Sequence, residues 1–390
     1  MPHLGKPTLT NTYALAFSVI AIVAIACGGG SDEQADQSQE GIDRVVGGVD
    51  LSFHDVALED VHFDTFDGGS IPLSEIGEER LLSLVDAIPP LDIPKYGDAV
   101  SGDWLETDDL VIGYEGANRG AWAYPVKILN FHEIVNDDLD GVPVLISYCP
   151  LCRSAVVYDR RLDGRELTFG NSSALYENDL VMFDRETNSY WWQVAGRAIV
   201  GTLTGEQLDV LPSITTTWGA WREEHPDTLV LSRETGFVRS YAADPFGSYR
   251  FAVNDEQFPF PVSPEALDGR LAAGDEVLGV IVDGESRAYS LRALGDAAVN
   301  DDLGGQPIVV LSSDDGPSGG AYRAVVDGNA LTFSFEDGLY VDAETGTRWN
   351  LSGEAVGGEL GGRTLERLPS RYTFWFAYIG AFPDTDVYAR

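Results

Sequence analysis

The sequence predicts a mainly β chain, at the α+β margin, arranged as two tandem homologous antiparallel β-rich domains with short helices. Three observations predict it. Short β-branched or aromatic runs alternate with Asp-Gly, Asn and Gly turns. One ordered string of motifs occurs twice. Finally, 390 residues with 44% hydrophobic content are enough to bury two ordinary cores.

Lys6 followed by an apolar stretch from Tyr13 to Ala26, broken only by Ser18, reads as a signal peptide over residues 1–26, because it is too short to span a bilayer comfortably. Ala24-Ile25-Ala26-Cys27 looks like a bacterial lipobox, which makes Cys27 the expected lipidation site. Residues 27–50, rich in Gly, Ser, Asp, Glu and Gln, read as a flexible tether. The expected location is therefore extracytoplasmic, at the periplasmic or outer cell surface, with the lipid anchor as the sole membrane contact. A formal net charge of −38 and a basic complement of 25 that includes only Lys6, Lys95 and Lys127 as lysines repel phosphate backbones, so nucleic-acid binding is excluded.

The first domain is expected over 51–240. It includes an N-terminal extension in which Ile88-Pro89-Pro90-Leu91-Asp92 forms a rigid extended approach. Strands are predicted at 110–114, 121–124, 143–149, 154–158, 167–169 and 180–183, and short helices at 125–134 and 216–224. A connector is expected over 241–273, and a degenerate second copy over 274–390.

The repeat is carried by Val135-Asn136-Asp137-Asp138-Leu139, which returns as Val299-Asn300-Asp301-Asp302-Leu303. Asp163-Gly164 returns as Asp327-Gly328, Asp184 as Asp342, Trp218 as Trp375, and Pro226-Asp227-Thr228 as Pro383-Asp384-Thr385. Residues shared by both copies are turn formers and core residues. Trp191 and Trp218 have counterparts in Trp349 and Trp375, which favours a core role over a sugar platform. Asp184, Glu186 and Thr187 are likewise shared and read as a turn.

The chemistry lies in what only the first copy has. An apolar strand ends in Cys149-Pro150-Leu151-Cys152, and Ser313 and Gly316 stand opposite the two cysteines. His132 falls opposite a gapped stretch at 295–297, and His225 opposite Phe382. Joint loss of two thiols and two imidazoles points to one shared site. Cys149, Cys152, His132 and His225 form a donor set that suits zinc or copper. Each histidine could instead be a solvated residue or a helix cap. The Cys149/Cys152 pair also permits a thiol–disulfide redox couple, although it ends a strand and lacks the helix terminus that would lower a thiol pKa. A structural disulfide and a non-catalytic scaffold or binding module complete the alternatives. No phosphate loop, nucleophile elbow or paired-carboxylate motif is present, so no enzyme class is assigned.

Tyr148-Cys149-Pro150-Leu151-Cys152, preceded by His132-Glu133-Ile134-Val135-Asn136-Asp137 and followed by Asp184-Arg185-Glu186-Thr187, Thr217-Trp218 and His225-Pro226-Asp227-Thr228, resembles a prokaryotic domain-of-unknown-function family marked by a Tyr-Cys-Pro-Leu-Cys motif. The resemblance covers about residues 88–249 and implies no activity. It implies that both cysteines and both histidines belong to the family pattern. The chain departs from that pattern at Arg153, where the resemblance expects glycine, and at Asn171-Ser172-Ser173, where it expects a Gly-rich turn.

Overall fold

A computed structural model describes residues 45–389 except Arg119, Ser248 and Asp315. The expected signal peptide, Cys27 and residues 28–44 of the tether lie outside the described residues, whereas Val45–Asp50, expected as the end of the tether, form a small hairpin with Val46 and Val49 buried in a hydrophobic cluster. The chain is mainly β, with antiparallel sheets and short helices, as its turn-punctuated runs predict. The cysteine hairpin pairs Val142–Cys149 with Ser154–Asp159. The two predicted helices are shorter than their sequence windows. Val126–Leu129 gives way to the strand Ile134–Leu139, and Trp218–Glu224 starts after Thr217, whose side chain caps the N–H of Ala220.

Shared motif residues explain themselves locally. The Asn136 amide makes a strand-like pair with the backbone of Phe169, accepting from its N–H and donating to its carbonyl, both at 2.8 Å. Asn300 does the same to Phe333, also at 2.8 Å. Asp184 accepts from the N–H of Thr187 and from the indole of Trp191 at 2.9 Å, and Asp342 accepts from Trp349 at the same distance. These are turn and core devices, as the repeat comparison indicated.

The two repeats share their sheets. In the seven-stranded sheet the order is Asp386–Val387, Glu285–Ser290, Glu276–Val282, Ser370–Phe374, Ser154–Asp159, Val142–Cys149, Ile134–Leu139. The eight-stranded sheet runs Ala297–Leu303, Gln306–Ser313, Ser318–Arg323, Ile214–Thr217, Leu110–Glu115, Ala121–Pro125, Leu229–Leu231, with Tyr96–Gly97 added at the edge. Each sheet joins three strands of one repeat to four of the other. The seams fall at Ala155↔Tyr372 and Thr215↔Gly319. The boundaries at 240 and 274 thus mark the sequence repeat and do not separate two bodies, and the described residues belong to one compact unit. The physical reason is edge pairing. Residues 209–211 of the same repeat pair with the Val157–Asp159 end of the strand, but a lone repeat would leave its Cys152–Ala155 end with unpaired backbone groups, and Ser370–Phe374 from the other repeat covers that end.

One difference between the repeats matters for the site. The first repeat's hairpin Phe169–Tyr176/Asp179–Asp184 has six paired positions, and its counterpart Phe333–Glu336/Leu339–Asp342 has four. The two extra rungs, Leu175↔Leu180 and Tyr176↔Asp179, lie beyond a bulge at 172–173 and end in a two-residue turn. Both turn residues, Glu177 and Asn178, have φ near +50°, the requirement of a type I′ connection.

Because the seams make the two repeats one cooperative structure, a core change in either one should be felt in both. Trp375 is fully buried and donates its indole N–H to the Asp268 carbonyl at 2.8 Å. Trp375→Ala is expected to cost about 3–5 kcal/mol while leaving a single calorimetric transition. Two separable transitions, only one of them lowered, would show that the repeats fold independently.

Candidate metal centre

The cysteine turn closes between Cys149 at the end of one strand and Ser154 at the start of the next. Both side chains are buried, at 1% and 0% exposure, and both are free thiols. They sit in a hydrophobic cluster with Leu145, Val156, Phe169, Trp191 and Phe374. Arg153, in the position where glycine was expected, has φ +49°. A side chain there is strained by about 1–3 kcal/mol. Its guanidinium reaches Glu276 of the second repeat at 3.4 Å, and Glu276 also takes Arg292 at 2.8 Å and the Tyr372 hydroxyl at 3.1 Å.

The third member of the site is Asp179, on the hairpin extension. One ligand atom from each of Cys149, Cys152 and Asp179 lies within 4.8 Å of the other two, and this group could hold a metal ion. Cys152 Sγ donates to Asp179 Oδ1 at 2.7 Å, and the N–H of Val194 donates to Oδ2 at 2.8 Å. Around them Ser154 donates to Gln193, whose amide donates to Ser147 at 2.8 Å, so the neighbouring polar groups are satisfied. The Cys152 carbonyl accepts from the Phe374 N–H at 2.8 Å and from the Thr373 hydroxyl at 3.1 Å, both from the second repeat.

Electrostatics follow from burial. It pushes the Asp179 carboxyl up to about 6, raises the Cys149 thiol and lifts the Cys152 thiol well above its usual range. Nearby Glu133, buried and accepting from Asn171 Nδ2 at 2.7 Å, is pushed up to about 8, again chiefly by burial. Several acids thus crowd one dry region, where each resists ionising.

The structure brings the two predicted cysteines together and places the two predicted histidines elsewhere. His132 Nδ1 bonds the Pro89 carbonyl at 2.7 Å and Nε2 bonds the Tyr241 hydroxyl at 2.6 Å, so both ring nitrogens are engaged. His225 caps the helix Trp218–Glu224, packs on Trp221 with ring centroids 4.0 Å apart, and points Nε2 toward Ser352 at 3.4 Å. Burial lowers the pKa of each imidazole. Neither belongs to the group formed by the thiols and Asp179. The residues that sequence reasoning passed over are Asp179 and Glu133.

A family model described as a protein of unknown function (DUF3179) matches residues 85–385. The chain belongs to this family. The match runs through both repeats, well past the expected span of about 88–249, so the second repeat is part of the DUF3179 unit. That agrees with sheets built from strands of both repeats. No curated protein and no solved structure matches the chain.

The shifted acids set a pH dependence for the metal-free, reduced chain. A raised acid stabilises the fold fully below its unfolded value, 3.8 for Asp179 and 4.5 for Glu133, and the contribution is lost as pH climbs through about 6 and about 8 respectively. The thermal midpoint is therefore expected to fall between pH 5 and 8.5. Glu133→Gln should flatten the part above pH 6, and an unchanged slope in that variant would show that Glu133 is not the titrating group.

Proposed function

We propose that this DUF3179 member is an extracytoplasmic metal-binding protein whose site is Cys149, Cys152 and Asp179. The observation that carries the reading is the convergence of two thiols and a carboxyl in one buried enclosure, with Asp179 delivered by a hairpin extension that the second repeat lacks. Three groups that resist ionisation together would ionise around a divalent cation, whose charge replaces lost solvation. Two sulfurs and one oxygen suit zinc; copper(I), which prefers an all-sulfur set, is the second choice. Three protein ligands leave a fourth tetrahedral position open, the pattern of reactive rather than closed structural zinc sites. The thiol–disulfide alternative is less well supported, because exchange needs a reachable thiolate and both thiols are buried with raised pKa.

Metal content of untagged, reduced protein tests this reading. Wild type is expected to retain close to one zinc per chain, with Cys149→Ser, Cys152→Ser and Asp179→Asn each losing most of it. His132→Ala and His225→Ala should keep it. Affinity should fall as pH drops through the neutral range, since both thiols must shed protons to bind, and more steeply below about 6, where Asp179 must do so as well. Absent metal in wild type together with a measured disulfide potential in the exchanger range would move the assignment to redox chemistry.

The lipid anchor is a separate part of the proposal and rests on the sequence around Cys27. Cys27→Ser is expected to release the protein from membranes or leave an unprocessed precursor, and unchanged membrane association would overturn it.

A further inference from the structure

Beside the cysteine turn lies a cavity of about 320 Å³. That is at the lower end of small-molecule sites, about 300–1,000 Å³. Pro150 and Leu151 of the turn form part of its wall, and Phe66, Leu175, Leu180 and Phe260 supply much of the rest. Its polar wall residues are Asp64, Glu133, Asn171 and Ser173, and Asp64 and the buried Asp179 are the acids whose charges bear on Glu133.

Three of the wall residues hold a left-handed backbone without being glycine. Phe66 has φ +59°, Glu133 +58° and Ser173 +62°. Ser173 sits in the bulge that interrupts Phe169–Tyr176. Such positions cost about 1–3 kcal/mol each, and bulges re-aim side chains beside sites.

The polar end of the cavity has a defined donor and acceptor pattern. Asn171 Oδ1 accepts from the Ser173 N–H at 2.7 Å, which fixes the amide so that Nδ2 donates to Glu133 Oε2 at 2.7 Å. Oε2 is thereby the accepting oxygen. Glu133 is 8% exposed, and its Oε1 makes no hydrogen bond among the described residues. Burial keeps this carboxyl protonated through neutral pH. The proton belongs on Oε1, the oxygen left without a partner, so this end of the cavity offers one O–H donor, with the Asp64 carboxyl also in the wall.

We propose that this cavity binds a small, neutral, largely apolar molecule bearing a carbonyl oxygen, which accepts a hydrogen bond from Glu133. A carbonyl supplies an acceptor for this O–H where a hydrocarbon cannot, and the apolar wall around it strengthens such a bond. An amine is the contrasting case, since it would pair with the Asp64 carboxyl and with ionised Glu133 and gain from high pH as Glu133 loses its proton. The inference stands on the cavity and Glu133 and does not require a metal at the thiols.

Ligand-observed NMR on the full chain with benzamide, cyclohexanone, toluene and benzylamine as probes tests it. The two carbonyl probes are expected to bind more tightly than toluene, with affinity dropping about tenfold per pH unit above about 8 as Glu133 loses its proton. Glu133→Gln keeps an N–H donor and should retain binding while abolishing that pH dependence. Leu175→Trp should fill the cavity and remove binding, with its unfolding midpoint checked alongside. Cys149→Ser should leave the probes bound, which separates this test from that of the metal reading. Equal binding of toluene and benzamide, a preference for benzylamine that strengthens above pH 8, or binding of no probe at millimolar concentration would each overturn the proposal.

Discussion

The pairing of Ser370–Phe374 with the cysteine hairpin is the constraint on which the rest of the structure depends. It closes the seven-stranded sheet across the two repeats at Ala155↔Tyr372. The same strand ends with the Phe374 N–H and the Thr373 hydroxyl on the Cys152 carbonyl. The repeat without thiols therefore holds the thiol turn of the other in place. A second copy that has lost the cysteines is still required, because its backbone completes the sheet and fixes the turn. The family match through residue 385 has the same logic.

That arrangement explains how a strongly acidic chain can bury so many acids at one place. At a surface, a formal charge of −38 is screened by water and salt. Inside, Asp179, Glu133 and the two thiols lie where ionisation is opposed, and each carries a raised pKa for that reason. The hydrogen bonds offered to the carboxyls are directed: Val194 N–H, Cys152 Sγ and the Ser154 hydroxyl to Asp179, and Asn171 to Glu133. The enclosure is preorganised for neutral acids or for acids around a cation.

Much of the fold class was legible in the sequence, because strand and turn signals are local. The hairpin around the thiols, the Asp184 turn and the buried tryptophans all follow from residues next to one another. The exchange of strands between repeats was not legible. Both repeats carry the same edge strands, so no residue says whether an edge pairs within its own copy or across. The site was half legible for a related reason. Comparing the copies retained residues that only the first one has, and His132 and His225 passed that filter by serving contacts found only there, to Pro89 and Tyr241 and to Ser352. Asp179 was hidden because it follows a Glu-Asn turn and reads as a turn residue, and it has no counterpart because the second hairpin is two rungs shorter. Glu133 was hidden in the gapped stretch opposite 295–297. Its counterpart by strand register is Ala297, since Ile134 pairs with Ser147 as Ala298 pairs with Leu311.

Arg153 ties these strands of argument together. It occupies a left-handed position that glycine would hold without strain, one residue after Cys152. A cation so close to a thiol pair would ordinarily favour thiolate and make the pair reactive. Here the guanidinium pairs with Glu276 and lies within the electrostatic reach of Tyr372 and Tyr148, and burial of the thiols outweighs whatever field reaches them. The strain at Arg153 thus serves the seam between the repeats, while the thiols are left neutral. Among the described residues none is arranged to ionise them, and the proposed metal at Cys149, Cys152 and Asp179 would supply the missing positive charge, which favours that proposal over an exchanging dithiol.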